Sequence, residues 1–100
     1  TAAKYEIPLL VVILNNRSYY NDEEHQERMA RWRERPIENK GIGIRIEDPA
    51  PDIAAIARAL SVEGFGPITD PDQLGRTLDK AIEVVDSGKP AVVDVITKPR

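Results

Sequence analysis

Two adjacent carboxamide side chains, Asn15 and Asn16, are the residues of this sequence best placed to bind a ligand through neutral oxygen atoms. They follow an unbroken apolar run at positions 7–14, which is typical of a strand buried on both faces of a parallel sheet. Ligands of such sheets bind beyond the carboxyl ends of the strands, where the pair would lie. Asparagine is also a common turn residue, and from spacing alone a plain turn is the simpler interpretation.

The composition excludes several classes of function. The 100 residues suffice for one small domain or part of a larger one, and 41% of them are hydrophobic and 31% charged. A net charge of -3 and a pI near 5.1 argue against a nucleic-acid partner, which would require a basic face. The absence of cysteine excludes disulfides, thiolate metal sites and a cysteine nucleophile. Without cysteine the compartment is not fixed by redox logic, and a cytoplasmic protein is the default expectation. No run approaches the roughly 18 apolar residues of a membrane span, so we expect no membrane partner.

Three apolar segments are predicted to be strands, at 9–14, 65–69 and 91–97. Helical patterns lie between them, and helical crossovers between strands imply a parallel sheet with right-handed connections. Gly66 and Pro67 restrict the second strand to an edge of the sheet. The order along the chain is strand, helix, helix, strand, helix, strand, which defines an α/β fold.

The helices are predicted from their capping residues and apolar stripes. Asn21 or Asp22 caps a charged helix that runs to about Arg35, and Asp52 caps the next helix. The third helix begins after Asp70, with proline at its first position, and ends at a glycine. The predicted buried stripes of the second and third helices are Ile53, Ile56, Ala57 and Leu60, and Leu74, Leu78, Ala81, Ile82 and Val85.

Two segments lack a regular pattern. Residues 1–5 are typical of the last turn of a helix, and a start without methionine suggests a fragment or a processed piece. Residues 37–51 contain glycines and prolines and are predicted to form an irregular connection that is longer than most loops. A connection of that length indicates either a function or a contact with a partner.

Other side chains have simpler structural explanations. His25, the only histidine, is expected to be a half-exposed residue of the charged helix rather than a catalytic base. Met29 and Trp32 are spaced for helix packing and are expected in the core. Asp94 lies inside an apolar strand, where an unpaired carboxylate costs free energy, so we expect it to face a helix terminus, Lys98 or solvent.

The chain resembles the C-terminal part of thiamine-diphosphate-dependent enzymes of the acetolactate synthase and benzoylformate decarboxylase type. The matching signatures are the Asn-Asn pair, the helix and turn at 51–64, the helix start at 68–74 and the closing strand at 88–97. None is specific alone, but their order and spacing together are, and they cover essentially the whole chain. The resemblance implies a three-layer α/β fragment of the thiamine-diphosphate-binding fold, with three parallel strands, about three helices and the last strand in the middle.

The same resemblance implies a set of cofactor ligands. In that family a cofactor motif begins with Gly-Asp-Gly and ends in Asn-Asn, and only its second end occurs here. The side-chain oxygen of Asn16 and the main-chain carbonyl of Ser18 are then expected to bind Mg²⁺, with Tyr19 against the diphosphate. Such hard oxygen donors suit Mg²⁺. Arg17 stands where many relatives have glycine, and it either touches an anionic group of cofactor or substrate or lies on the surface.

The resemblance also implies a parent enzyme, a lyase or transferase, that cleaves or joins bonds next to the carbonyl of 2-oxo acids and works as a dimer or tetramer. Residues 1–100 are then the C-terminal part of its thiamine-diphosphate-binding domain, with no catalytic residue and no activity by themselves. The expected partner is the remainder of the enzyme or a second copy, which covers the apolar edge of the first strand. The alternative is a non-catalytic α/β interaction or oligomerisation module with the same fold.

Overall fold

The computed structural model describes residues 1–98, which form two compact units. The first unit contains residues 1–15 and 52–97, and the second contains residues 16–51 together with Lys98. The sheet belongs to the first unit, whereas the second contains a helix and a short 3₁₀ turn. None of the helices within residues 1–98 has the length and apolar character needed to cross a membrane.

Three parallel strands form the sheet of the first unit: β1 (Leu10–Asn15), β2 (Glu63–Ile68) and β3 (Ala91–Ile96). β3 lies in the middle and pairs with both neighbours. The predicted α/β fold, the parallel sheet and the central position of the last strand are therefore confirmed. β2 is an edge strand, as predicted, and its register with β3 shifts where Gly66 and Pro67 occur.

The helix boundaries follow from local chemistry. α1 spans Tyr20–Trp32, α2 spans Ile53–Ala59 and α3 spans Pro71–Asp86. The carboxylates of Asp52 and Asp70 accept hydrogen bonds of 2.7 and 3.0 Å from amides in the first turns of α2 and α3. Both predicted caps are thus confirmed, because each carboxylate satisfies an amide that has no partner within its helix.

The cap predicted for α1 at Asn21 or Asp22 is wrong. The helix begins at Tyr20, and Tyr19 precedes it without a capping bond from its side chain. Instead, the main-chain carbonyl of Tyr19 accepts hydrogen bonds from the amides of Asp22 and Glu23, at 2.9 and 3.1 Å. The carboxylates of those two residues lie in the first turn, where they suit the helix dipole.

The C-terminal end of α1 also differs from the prediction. The helix ends at Trp32 rather than near Arg35, because Glu34 adopts a left-handed conformation (φ +52°) and turns the chain before Pro36. Trp32 is 77% exposed, so its predicted position in the core is wrong. His25 is also exposed on this helix, so neither the His25 ring nor the Trp32 ring packs in a core.

The core of the first unit lies where α3 packs against the sheet. Its buried members are Ile68, Ala81, Ala91 and Val93. The predicted stripe of α3 is confirmed at Leu78, Ala81 and Val85, whereas Ile82 is 45% exposed and lies outside it. A three-stranded sheet is narrow and covers only the central residues of the apolar face of α3. Fewer residues of α3 are therefore buried than its apolar pattern predicts.

The first strand is more exposed than its sequence predicts. In β1, Val11, Val12 and Leu14 are 38%, 43% and 72% exposed, so the strand is not buried on both faces. β1 pairs with β3 on one side, and α3 is the helix that contacts it. The expectation fails because residues 1–98 supply no second neighbour for the strand and little cover for one of its faces.

The predicted stripe of α2 is confirmed at Ala57, but its other buried residue is Ala54 rather than one of the larger predicted side chains. Ala54 and Ala57 are buried, whereas Ile56 and Leu60 are 52% and 68% exposed. The reason is a close approach of two backbones, since a Cβ built on Gly64 of β2 would overlap the carbonyl oxygen of Ala54. Small residues allow this approach and leave the larger apolar side chains of α2 outside.

Two helices of the first unit end in the same hydrogen-bond pattern. After α2, the Val62 amide donates to the Ala57 carbonyl and the Ser61 amide donates to the Arg58 carbonyl, both at 3.0 Å, with Ser61 at φ +60°. The end of α3 repeats this pattern around Gly88, at φ +91°. This is the Schellman motif, whose left-handed residue is usually glycine. Ser61 therefore occupies a position that favours glycine.

The first residues of the chain form one helical turn that closes in the same way. The Tyr5 amide donates to the Thr1 carbonyl at 3.1 Å, and the Ile7 amide donates to the Ala2 carbonyl at 3.0 Å. Glu6 supplies the left-handed residue, at φ +49°. The predicted last turn of a helix is therefore confirmed.

Replacing Ser61 with glycine should raise the free energy of unfolding by about 1 kcal/mol, because glycine adopts the left-handed conformation without a steric cost. Denaturant unfolding of both proteins measures the difference. The control is Ala59→Gly, which introduces glycine at a helical position and should lower the free energy of unfolding by about 1 kcal/mol. A loss of stability in both variants would show that Ser61 is not strained.

Candidate cofactor-binding site

The carboxyl end of β1 is fastened to β3 through its last residue. The side chain of Asn15 donates from Nδ2 to Asp94 Oδ1 at 3.1 Å, and the Asn15 carbonyl accepts a hydrogen bond from the Thr97 amide at 2.9 Å. Asp94 is fully buried, and its Oδ2 has no hydrogen-bond partner among residues 1–98. The expectation that Asp94 faces a helix terminus, Lys98 or solvent is wrong. The sequence marked Asp94 only as a polar residue in an apolar strand, and the pairing of β1 with β3 identifies Asn15 as its partner.

Asn16 begins a tight turn. Its Oδ1 accepts a hydrogen bond from the Ser18 amide at 3.1 Å, which is the geometry of an Asx turn. Between them, Arg17 has φ +53°, a left-handed conformation that glycine adopts most readily. The turn and ligand interpretations of the asparagine pair are compatible, because an amide oxygen has a second lone pair.

Ser18 is held in place by an antiparallel bridge to Arg45 of the irregular connection. The two hydrogen bonds of the bridge, at 2.8 and 3.0 Å, use the carbonyl of Arg17 and the amide of Tyr19. The carbonyl of Ser18 takes no part in the bridge. The predicted function of the long connection thus has a physical basis, since it supports the turn. The side chain of Tyr19 follows the bridge and is 60% exposed.

Glu23 supports the same turn from the first turn of α1. Its Oε2 accepts a long hydrogen bond from the Ser18 hydroxyl at 3.4 Å, while Lys40 Nζ and Arg45 Nη2 lie 3.8 and 3.9 Å from its Oε1. The Glu23 side chain is only 12% exposed. The helical pattern did not single out Glu23, because its basic partners lie in the irregular connection, where no periodicity indicates contacts.

A second contact joins α1 to the 3₁₀ turn Glu38–Gly41. Lys40 Nζ lies 2.5 Å from Glu27 Oε2, and Arg31 Nη2 lies 2.8 Å from Glu27 Oε1. The hydrogen bond from Lys40, followed by that from Arg31, lowers the pKa of the Glu27 carboxyl, and the Glu27 carboxylate raises the pKa of Lys40. Both groups are therefore charged at neutral pH. Solvent and salt screen such partly exposed ion pairs, so the contact stabilises the packing of the 3₁₀ turn on α1 only weakly.

A cavity of about 210 Å³ lies elsewhere in the second unit, and Met29, Arg33 and Arg35 are among the residues that line it. None of the predicted binding residues lines this cavity. The structure therefore brings Asn16 and Ser18 together in the turn and places Tyr19 directly after them.

The donors in the turn suit a hard cation. Within residues 1–98, no group of three or more His, Cys, Asp and Glu side chains is arranged to hold a metal ion. A metal at the turn would instead bind the neutral oxygens of Asn16 and Ser18. Mg²⁺ accepts such oxygens in octahedral geometry and usually takes its other ligands from phosphates, carboxylates and water. These two oxygens would therefore fit Mg²⁺ as part of its coordination, with its other ligands supplied from outside the turn.

The three parallel strands and the helices between them along the chain define an α/β domain. The family model described as thiamine pyrophosphate enzyme, C-terminal TPP binding domain, matches residues 1–95, and the chain belongs to this family. It is therefore part of a thiamine-diphosphate-dependent enzyme, which confirms the resemblance at the level of the family. Searches of curated proteins and of solved structures returned no match.

Proposed function

We propose that residues 1–100 are the C-terminal part of the thiamine-diphosphate-binding domain of a Mg²⁺-dependent enzyme acting on 2-oxo acids. The parent enzyme decarboxylates such acids or joins them to a second carbonyl compound, as the acetolactate synthase type does, and is a cytoplasmic lyase or transferase. The observation that carries the proposal is the Asx turn, in which Asn16 Oδ1 accepts from the Ser18 amide at 3.1 Å. This hydrogen bond holds Asn16 and Ser18, which carry the two proposed oxygen ligands, in one turn, and such oxygens suit Mg²⁺.

In the proposed site, the side-chain oxygen of Asn16 and the carbonyl of Ser18 hold Mg²⁺, and Tyr19 lies against the diphosphate. The bridge to Arg45 and the hydrogen bond to Glu23 keep Ser18 in place, as partners outside the first coordination sphere commonly do. Thiamine diphosphate, when bound, supplies the carbanion chemistry. The contribution of this chain is to fix the metal and, through the metal, the diphosphate.

The remaining ligands in this proposal come from the rest of the enzyme or from a second copy, in a homodimer or tetramer. Gly-Asp-Gly does not occur in the sequence, so another segment must supply the carboxylate of the family motif. The exposed apolar side chains of β1 support such a partner, and the run at 7–14 contains no charge that would discourage pairing. We accordingly assign no catalytic residue to this chain and expect it to be inactive by itself.

Turnover of 2-oxo acids by the enzyme that carries this domain tests the proposal. With Mg²⁺ and thiamine diphosphate, we expect the enzyme to release CO₂ from pyruvate or from an aromatic 2-oxo acid such as benzoylformate. Chelation of Mg²⁺ should abolish the release, because the diphosphate is then no longer held by the metal. The control is the same enzyme without thiamine diphosphate. If the cofactor-loaded enzyme consumes no 2-oxo acid, the proposed substrate class is wrong.

A non-catalytic interaction or oligomerisation module is the second candidate, and the exposure of Ile56 and Leu60 on α2 favours it. Apolar side chains of this size on one helix face are typical of a surface that another protein covers. This candidate predicts that the protein associates but binds no cofactor. A calorimetric titration of the assembled protein with thiamine diphosphate in Mg²⁺ distinguishes the two, because only the first candidate gives a binding isotherm.

A further inference from the structure

We propose that Asp94 is a positioning residue for the cofactor turn and acts through Asn15. This inference rests on the proposed function, since it assigns to Asp94 a role in the binding of Mg²⁺ and thiamine diphosphate. Asp94 itself lies on β3 and its side chain is completely buried, so it serves the turn through the hydrogen bond from Asn15 Nδ2 to its Oδ1. The cofactor motif of the sequence thus extends to a residue 79 positions away along the chain.

The stability of the sheet does not explain a carboxylate at position 94. Its neighbours in β3 are valines, and it has no hydrogen-bond partner for Oδ2 among the described residues. A buried carboxylate oxygen without a partner is unfavourable, and an apolar side chain of similar shape is often as stable or more stable at such a position. The carboxylate of Asp94 therefore lowers the stability of the fold, and its one hydrogen bond, from Asn15, suggests that its role is to position Asn15.

The bond holds the last residue of β1. Asn15 donates from its side chain to Asp94 of β3, and its carbonyl accepts from the amide of Thr97, directly after β3. The main-chain bond lies in the plane of the sheet, whereas a side chain projects from a face of the sheet. Two bonds in different directions restrain Asn15, whose carbonyl carbon is joined through the peptide bond to Asn16.

The backbone of Asp94 is held firmly by the strands on either side of it. It lies in the central strand, where Ile13 of β1 is its partner in the register. On the other side, a Cβ built on Gly66 would lie 2.5 Å from the Asp94 carbonyl oxygen, so the backbone of β2 closes tightly on this residue. A side chain on such a backbone has little freedom, which is what a support for a ligand requires.

The experiment compares Asp94→Leu and Asp94→Asn in the enzyme that carries this domain. Leucine matches the branching of aspartate but cannot accept a hydrogen bond, whereas asparagine keeps an acceptor oxygen and removes the charge. We expect Asp94→Leu to raise the dissociation constant for thiamine diphosphate about tenfold at saturating Mg²⁺, with an unchanged or higher unfolding midpoint. Asp94→Asn should bind within about twofold of the unmodified enzyme, since the bond from Asn15 is kept.

A second readout needs no cofactor. Hydrogen exchange of the Ser18 amide reports on the Asx turn, and exchange of the Tyr19 amide reports on the separate bridge to the connection. We expect Asp94→Leu to accelerate exchange at Ser18 and to leave Tyr19 unchanged. If leucine is too large for the protein to fold, Asp94→Val takes its place in both measurements, because it is smaller and equally unable to accept a hydrogen bond.

Two results would overturn the inference. One is that the apolar variant binds thiamine diphosphate as tightly as the unmodified enzyme and leaves Ser18 exchange unchanged. The other is that stability and cofactor affinity fall in parallel in both Asp94 variants, which is the behaviour of a merely structural residue. Asn16→Ala is the reference in every titration. If Asn16→Ala has no effect on cofactor binding, the proposed site itself is wrong, whatever Asp94 does.

Discussion

Replacing Asn16 with alanine should weaken the Mg²⁺-dependent binding of thiamine diphosphate about 100-fold in the enzyme that carries this domain. The change removes a proposed metal ligand and also the acceptor of the Ser18 amide, so the second ligand loses its support. The loss of a supporting partner alone commonly costs about 10–100-fold in metal affinity, and the ligand itself should be at the upper end of that range or beyond. Calorimetric titration at saturating Mg²⁺ measures the effect.

Two matched variants control this result. Asn16→Asp keeps an oxygen for both the metal and the Ser18 amide, so it should bind close to the unmodified enzyme. Asn15→Ala should weaken binding only about tenfold, but it should lower the free energy of unfolding by about 2 kcal/mol, because Asp94 then loses its hydrogen-bond donor. Equal losses of affinity in Asn15→Ala and Asn16→Ala would show that the pair is only a turn.

Replacing Gly64 with alanine should lower the free energy of unfolding by about 3 kcal/mol. The new Cβ would overlap the carbonyl oxygen of Ala54, which belongs to the backbone of α2 and cannot rotate away like a side chain. The helix must therefore move off the sheet, as in other cases of overpacking. Chemical denaturation monitored by circular dichroism measures the loss.

Gly75→Ala is the control for this substitution. Gly75 lies in α3, and a Cβ there meets no atom within 4 Å, so alanine should raise the free energy of unfolding by about 1 kcal/mol through its higher helix propensity. The two glycine-to-alanine changes thus have opposite expected signs. A neutral Gly64→Ala would mean that α2 does not approach β2 as closely as described.

The elements with complete local signals were predicted correctly from the sequence. α3 has an aspartate cap, proline at its first position and a glycine after its last turn, and all three lie where the pattern placed them. β3 is an apolar run between turn residues, and its central position followed from the resemblance. Short-range chemistry determines such boundaries, so a single sequence is sufficient to find them.

The buried face of α2 could not be predicted in the same way. A hydrophobic pattern favours the large side chains Ile56 and Leu60, but the contact between α2 and β2 is made by Ala54 against Gly64, which have almost no side chain. Close approach of two backbones depends on both elements at once. A pattern read along one helix does not contain that information.

The candidate site was predicted in part. The resemblance singled out Asn16 and Ser18, and the Asx turn brings them together, but their roles as ligands remain a prediction. Asp94 was not recognised because its partner Asn15 lies 79 positions away, and Glu23 was not recognised because its contact with Ser18 spans a loop and a helix start, which no periodicity marks. A buried carboxylate in an apolar strand was visible from the sequence as a cost, but only the paired strands reveal its partner.

A crystal structure of the enzyme with Mg²⁺ and thiamine diphosphate would show whether Asn16 and Ser18 hold the metal. We expect Asn16 Oδ1 and the Ser18 carbonyl oxygen each to lie about 2.1 Å from Mg²⁺, the usual distance for oxygen ligands of this ion. A Mg²⁺ ion on the diphosphate whose protein ligands include neither oxygen would show that the proposed site is wrong.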